Sequence, residues 1–182
     1  MRVIAGTLRG KKLIPPKDDA VRPTTDRVKE SLFNLLIGQI DDSTVIYDLF
    51  SGSGGLGIEA LSRGARYGCF CDKSKESYQL TKENIRRCRL EDRSIVVLGD
   101  FHKAISRFPY QADIVFLDPP YQDYLWKPCL EAILEQDRLK VNGIAVLEHG
   151  AGQIPENLPE AFVCEKQRRY GACAISIYRR QK

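Results

Sequence analysis

The sequence predicts an α/β fold with a doubly wound, mostly parallel sheet of seven strands that ends in an antiparallel C-terminal strand. Between residues 45 and 148, short apolar runs alternate with segments of helical periodicity, and right-handed crossovers then make the strands parallel. Near the C-terminus, two strand-like runs flank Tyr170-Gly171 with no helix between them, which indicates an antiparallel pair. Ahead of the sheet, residues 2–16 contain two short strand-like runs around a turn at 8–10, which indicates a small β-hairpin extension.

The elements follow in order along the chain. The predicted strands of the sheet are 45–49, 67–71, 94–98, 113–117, 144–148, 161–167 and 173–179. The helices between them are predicted at 57–62, 74–89, 101–108 and 124–136. An earlier helix is predicted from an N-cap at Thr24 or Thr25 to Gly38, because apolar residues recur there at helical spacing. The extension thus occupies residues 1–23, and the main domain residues 24–182.

Composition sets the broad class of protein. The 182 residues are 43% hydrophobic and 29% charged, which indicates one soluble globular domain with a sizeable core. No apolar run is long enough to span a bilayer, and the basic N-terminus lacks an apolar signal region, so we expect a cytoplasmic protein. The six cysteines contain no CxxC pair, which predicts reduced thiols and no metal site.

The formal net charge of +4 is modest, but basic residues gather at the two ends of the chain. The early group is Arg2, Arg9, Lys11, Lys12, Lys17, Arg22, Arg27 and Lys29, and the late group is Lys166, Arg168, Arg169, Arg179, Arg180 and Lys182. If both ends fold onto one face, they form a phosphate-binding surface. The alternative is an ordinary solvated exterior, and charge alone does not separate the two.

A short motif, Asp118-Pro119-Pro120-Tyr121, closes the apolar run 114–117. Prolines cannot donate to a strand ladder, so pairing stops where this strand meets solvent. The turn offers acceptors, namely the Asp118 carboxylate and the backbone carbonyls, and Tyr121 offers a flat face for stacking. A nucleobase with an exocyclic amine fits both features, although Asp-Pro-Pro is also a common way to end a strand.

A glycine-rich turn follows the first strand of the sheet, with Gly52, Gly54 and Gly57 in a GxGxxG pattern. In dinucleotide enzymes such a turn binds a pyrophosphate at a helix N-terminus. Asp48, directly ahead of it, would repel a pyrophosphate and favours a cationic ligand such as S-adenosylmethionine. Glycine also lets the backbone approach a cofactor closely.

Carboxylates stand at four successive strand ends, at positions 48, 72, 100 and 118. Open α/β sheets bind ligands at this edge. We expect Asp72 to accept hydrogen bonds from ribose hydroxyls, and Asp100 to accept one from an adenine amine while Phe101 packs on the ring. Taken singly, each acid has an alternative role as a solvated residue or a helix cap.

The segments 48–61 (DLFSGSGGLGIEAL) and 118–121 (DPPY) resemble class I S-adenosylmethionine-dependent methyltransferases that act on exocyclic amines. With the segments 6–13 and 22–34, the chain resembles the bacterial RsmD family, which methylates the N2 of a guanine in small-subunit ribosomal RNA. The resemblance implies cofactor contacts from Asp48, Phe50, Gly52, Ser53, Gly54, Asp72 and Asp100, and target-base contacts from Asp118, Pro119, Pro120 and Tyr121. The RNA-binding candidates are Arg9, Lys11, Lys12, Arg22 and Arg27. The family usually has glutamate where Asp72 stands, and the aspartate side chain is one methylene shorter.

The resemblance implies direct transfer, in which the guanine amine attacks the sulfonium methyl while the enzyme positions the reactants. We expect small-subunit ribosomal RNA, within a ribonucleoprotein particle, as the partner. Three alternatives stay open at this point. They are an adenine-N6 methyltransferase acting on DNA or RNA, an NAD-binding oxidoreductase, and an RNA-binding module without catalysis.

Overall fold

The computed structural model describes residues 1–16, 26–120 and 124–182. Its sheet has seven strands in the order β3-β2-β1-β4-β5-β7-β6. They are β1 (Val45–Asp48), β2 (Tyr67–Asp72), β3 (Ser94–Leu98), β4 (Ala112–Leu117), β5 (Leu139–Gly150), β6 (Phe162–Tyr170) and β7 (Cys173–Arg180). Strands β1 to β5 pair in parallel, and β7 pairs antiparallel with both β5 and β6. The predicted fold class is confirmed.

Helices cover both faces of this sheet. They are α1 (Asp26–Leu35), α2 (Gly55–Ser62), α3 (Lys75–Cys88), α4 (Phe101–Ile105) and α5 (Trp126–Glu135). On one face, buried side chains of α1, α2 and α3 pack with residues such as Ile46, Phe116 and Val146 of the strands. On the other face, α4 and α5 pack on the strand residues that alternate with these, such as Tyr47 and Leu147. We call these the α1 face and the α5 face.

Several predicted boundaries differ from the observed ones. Strand β5 begins at Leu139 rather than 144, and its register with β4 shifts between Ala112 and Ile114. Helix α4 ends at Ile105 rather than 108, and α2 begins two residues early, at Gly55. The predicted caps Thr24 and Thr25 lie outside the described residues. None of these differences moves a strand end that carries a predicted site residue.

The N-terminal segment, residues 1–16, has one β-bridge, between Arg2 and Lys12, instead of the two strands predicted. It is nonetheless anchored, since Val3 and Leu13 are buried in the α1-face core. The backbone amides of Ile4 and Ala5 donate to the Glu59 carboxylate at 2.8 and 3.0 Å. Backbone groups that would otherwise pair in a hairpin thus pair with a side chain of α2.

Four of the six cysteines are buried, including Cys69 and Cys71 in β2, so these two contribute to packing as expected. Within the described ranges, no helix combines the length and apolarity needed to cross a membrane.

Candidate active site

The turn after β1 places a buried carboxylate beneath a glycine backbone. Gly52 and Gly54 have φ of 52° and 77°, in the left-handed region that glycine adopts without strain. These angles bring the chain over the end of β1 and into α2. Asp48, only 3% exposed, accepts a hydrogen bond from the Gly57 amide at 3.0 Å. The first turn of α2 is therefore fixed directly to the end of the strand.

Asp72, at the end of β2, joins the neighbouring strand to the same turn. One of its carboxylate oxygens accepts from the Gly52 amide at 3.0 Å, and the other accepts from the Ser74 amide at 2.9 Å. Asp48 and Asp72 thus contact the same glycine turn, as their predicted shared role requires.

Two buried polar residues of helix α3 form hydrogen bonds to the backbone of this turn, and neither was predicted from the sequence. The Thr81 hydroxyl donates to the Gly52 carbonyl at 2.9 Å. Asn84, fully buried, donates to the carbonyls of Ser53 and Ile14 at 2.9 and 3.0 Å. A signal was available, because these polar residues lie three apart on the buried face of an amphipathic helix. Asn84 also links the N-terminal segment to the glycine turn.

Asp100 and two aromatic residues stand beyond the end of β3. Asp100 is exposed and caps α4, accepting from the Lys103 amide at 3.0 Å. Phe101 is buried, and its ring lies 6.1 Å from that of Phe50, centroid to centroid. The structure thus gives Asp100 the helix-cap role noted as the alternative, while both aromatic residues predicted to contact the cofactor lie together.

Asp118 stands one residue past the end of β4 and is half-buried, while Pro119 is buried and Pro120 exposed. Burial raises the pKa of Asp118 well above its ordinary range, and the nearby carboxylates of Glu148 and Asp48 raise it further. Burial likewise raises the pKa of Asp48 to about 7, against the lowering effect of the Gly57 amide. Tyr121 lies outside the described residues, so its predicted stacking role stays a prediction.

Glu148 is a further acid of this site that the sequence analysis missed. Leu117 of β4 pairs with Leu147 of β5, so Asp118 and Glu148 stand side by side on adjacent strands. Glu148 is 6% exposed. It lies two residues after Val146 in the same strand, so its side chain points to the α1 face as that of Val146 does. The rule that found the other strand-end acids applies equally here, since the strand was predicted to end at 148. No short motif surrounds Glu148 in the sequence.

The predicted RNA-binding residues are on the surface where they are described. Arg9, Lys11, Lys12 and Arg27 are exposed, and Arg22 lies outside the described residues. Lys29, counted among the early basic residues, is an exception to the proposed surface. It is buried and ion-paired with Glu59 at 3.3 Å, so it has a structural role instead.

The strand order, the antiparallel β7 and the glycine turn between β1 and α2 together define a class I methyltransferase. Within that class the chain belongs to the family described as "Conserved hypothetical protein 95", the RsmD family, whose match spans residues 1–179. This assignment confirms the predicted family and sets aside the NAD-binding oxidoreductase.

Individual relatives agree over nearly the whole chain. YlbH of Bacillus subtilis is 37% identical over 185 residues, covering 100% of both chains. "Ribosomal RNA small subunit methyltransferase D" of Haemophilus influenzae is 35% identical over 182 residues, covering 98% of this chain and 93% of its own. The solved structure of yhhF from Escherichia coli has a TM-score of 0.86 at 28% identity, covering 100% of this chain and 98% of that one.

Proposed function

We propose that this protein transfers a methyl group from S-adenosylmethionine to the exocyclic N2 of a guanine in small-subunit ribosomal RNA. The observation that carries the proposal is a row of carboxylates near the ends of adjacent strands, beside a glycine turn: Asp48 and Glu148 are buried and Asp118 is half-buried. The substrate class follows from similarity to relatives named as small-subunit ribosomal RNA methyltransferases. Such an enzyme works in the cytoplasm, where ribosomal subunits assemble.

The residues around the glycine turn fit the cofactor. S-adenosylmethionine supplies an electrophilic methyl group on a positively charged sulfur. Asp48 and Asp118 are carboxylates whose burial disfavours their charged form, so a bound cation stabilises them and they bind it in return. Gly52 leaves room for close approach, since the nearest atom of the described residues to a Cβ at that position would be the Phe50 carbonyl oxygen, at 4.0 Å. Asp72 faces the same turn and suits the ribose hydroxyls.

The turn after β4 fits a guanine edge. Guanine presents two kinds of donor side by side, N1–H and the exocyclic amine, whereas adenine presents a bare acceptor at N1. Asp118 and Glu148 place two carboxylates on neighbouring strands. Two adjacent acceptors therefore favour guanine over adenine. The carbonyls of Asp118 and Pro119 add acceptors for the amine hydrogens, because no amide hydrogen is present on either proline.

Catalysis then consists mainly of positioning. Asp118 is ionised in the complex, because a cation beside it offsets the burial that raises its pKa in the free protein. Its carboxylate accepts an amine hydrogen, which orients the nitrogen lone pair toward the methyl group. As the nitrogen becomes positive, the same carboxylate takes up the released proton. A base within folded RNA must first be splayed out to reach this turn.

The proposal is tested by incubating the protein with labelled S-adenosylmethionine and small ribosomal subunits from a strain that lacks the gene. The RNA is then digested and the labelled nucleoside identified. We expect N2-methylguanosine, and its loss in Asp118→Ala. Label in N6-methyladenosine would instead establish the adenine methyltransferase, and label unaffected by Asp118→Ala would contradict the assigned site. A protein that binds subunits and cofactor but transfers no label would be the RNA-binding module.

We further propose that the substrate is a protein-bound particle rather than naked RNA. A chain of 182 residues has little surface for reading a long RNA sequence, so neighbouring ribosomal proteins help to define the target. Assembled subunits and protein-free RNA are compared at equal concentration. Equal rates on the two substrates would contradict this part of the proposal.

A further inference from the structure

The edge strand β6 carries two consecutive arginines, Arg168 and Arg169, which are both exposed. Consecutive residues of a strand point to opposite faces of the sheet. The two arginines therefore have the same charge, size and exposure, and differ chiefly in the face they occupy. The sequence grouped them in one basic surface, but the structure separates them.

Arg168 lies on the α1 face, in line with the acids of the active site. It pairs with Ile175 of β7, which pairs in turn with Glu148 of β5. Ile175 is buried in the α1-face core, which fixes the side on which this row of residues points. Lys166, two residues earlier, confirms the side, because its ammonium donates to the carbonyl of Leu35 in α1 at 3.2 Å.

Arg169 lies on the α5 face instead. It pairs with Ala174, which pairs with His149. The His149 ring packs edge-on against Trp126 of α5, with centroids 5.9 Å apart. This side of the sheet is the one away from Asp48, Asp118 and Glu148.

The row from Asp118 through Glu148 and Ile175 to Arg168 crosses four adjacent strands. Neighbouring strands are about 4.8 Å apart, so the Arg168 backbone stands roughly 14 Å from that of Asp118. An arginine side chain extends some way beyond its backbone. This separation suits a phosphate a few nucleotides from a base held at Asp118, and it is too large for contact with that base itself.

The charge of Arg168 is available for such a contact. Its guanidinium donates to the Gln167 backbone carbonyl at 2.8 Å, which does not neutralise it. Arg179 and Arg180 differ, because they form ion pairs with Glu165 and Asp137.

We propose that Arg168 binds a backbone phosphate of the ribosomal RNA beside the target nucleotide, and that Arg169 does not. The inference rests on the proposed function for its substrate. It extends the RNA-contacting surface from the N-terminal segment to the C-terminal edge strand, along the α1 face only. Phosphate contacts of this kind position the RNA without reading its sequence.

The test compares Arg168→Gln with the matched control Arg169→Gln on small subunits lacking the modification. Binding is measured by filter retention over a range of salt, and methyl transfer in parallel. Loss of one phosphate contact reduces the slope of log Kd against log salt by about 0.7 to 0.9. We expect this reduction, and a roughly tenfold higher KM for subunits, in Arg168→Gln alone. Cofactor affinity and kcat should stay unchanged, because the strand edge is far from the glycine turn.

Equal effects of the two substitutions, or no effect of Arg168→Gln, would overturn the inference. A wild-type protein that binds subunits with the Arg168-dependent slope, yet transfers no methyl group, would contradict the proposed function while supporting this surface. A wild-type protein that does not bind subunits would contradict both.

Discussion

Two buried carboxylates near the glycine turn, Glu59 and Asp48, are surrounded in opposite ways. Glu59, fully buried in α2, accepts two backbone amides and forms ion pairs with Lys29 and Arg63 at 3.3 and 2.9 Å. Asp48 accepts the Gly57 amide, and its pKa is raised by burial and by the neighbouring carboxylate of Asp72. Both carboxylates are therefore buried, but only the charge of Glu59 is balanced by cations of the described residues.

The difference separates a structural from a functional role. A buried charge costs several kcal/mol unless it is paired, so Glu59 stabilises the fold only with its partners in place. Among the described residues, no cation forms an ion pair with Asp48 or Asp118, and burial raises the pKa of both. We infer that the missing compensation comes from the ligand.

The largest effect is expected for Asp118→Asn. The amide has the same shape but cannot accept the released proton, so we expect methyl transfer to fall on the order of 10³-fold. The free protein should become no less stable, because a poorly compensated carboxylate is removed. Single-turnover rates and thermal melts measure the two effects.

The matched control is Asp113→Asn at the opposite end of the same strand. Asp113 is ion-paired with Lys140 at 2.8 Å near the surface. Its substitution should leave the rate unchanged. An equal loss of rate in both variants would mean that the Asp118 effect is structural.

Glu59→Gln should have the reverse pattern. Lys29 is left buried without its counter-charge, so the free energy of unfolding should fall by about 3 to 5 kcal/mol. The folded fraction should retain its methylation rate at low temperature. Urea unfolding measures the loss, and Glu83→Gln, which changes a partly exposed acid ion-paired with Arg86 on α3, should leave the midpoint unchanged. A stable but inactive Glu59→Gln protein would contradict the structural role assigned to Glu59.

The pH dependence of stability gives the next effect in size. Asp48 binds its proton with a pKa of about 7 in the folded protein, against 3.8 ordinarily. Between these values the folded state holds the proton and the unfolded state does not, so stability falls as pH rises. The decrease from pH 4 to 7 is on the order of 4 kcal/mol at about 1.4 kcal/mol per pH unit. Asp48→Asn should remove it, and identical pH profiles for the two proteins would contradict the assignment.

The smallest effect on stability concerns Gly52→Ala. A Cβ there meets no close neighbour, so the cost is the left-handed backbone, roughly 1 kcal/mol. Cofactor affinity should nevertheless fall, because the methyl group occupies the side open to the ligand. Calorimetry and melting curves separate the two.

Gly57→Ala is the informative comparison, since a Cβ at Gly57 would overlap the Phe70 ring. It should mainly destabilise the fold. Unchanged cofactor affinity in Gly52→Ala would mean that the cofactor does not approach this glycine.

The sequence was sufficient for the sheet and for most strand ends, because apolar runs, glycines and prolines act locally. Asp48, Asp72 and Asp118 were predicted as site residues from their positions at strand ends and from the motifs around them, and the structure places all three at the same edge of the sheet. The Lys29–Glu59 pair could not be found this way, since it joins residues 30 positions apart through packing of α1 on α2. Lys29 consequently looked like a surface cation.

The separation of Arg168 from Arg169 depends on strand register, which the sequence leaves undetermined. The bulge between Cys164 and Lys166 shifts the alternation of β6 by one residue, and without it the two arginines would exchange faces. The pattern of charges predicts a basic edge, but only the paired strands show which of its residues share a face with the candidate active site.

The most direct test measures protons released when S-adenosylmethionine binds, by calorimetry near pH 6.5 in buffers of different ionisation enthalpy. If the ligand supplies the charge that Asp48 lacks, binding lowers the pKa of this carboxyl and a substantial fraction of a proton is released. Asp48→Asn should reduce the release and weaken binding roughly 10- to 100-fold. Binding without proton release, or the same release in Asp48→Asn, would contradict the claim that these strand-end carboxylates await a cationic ligand.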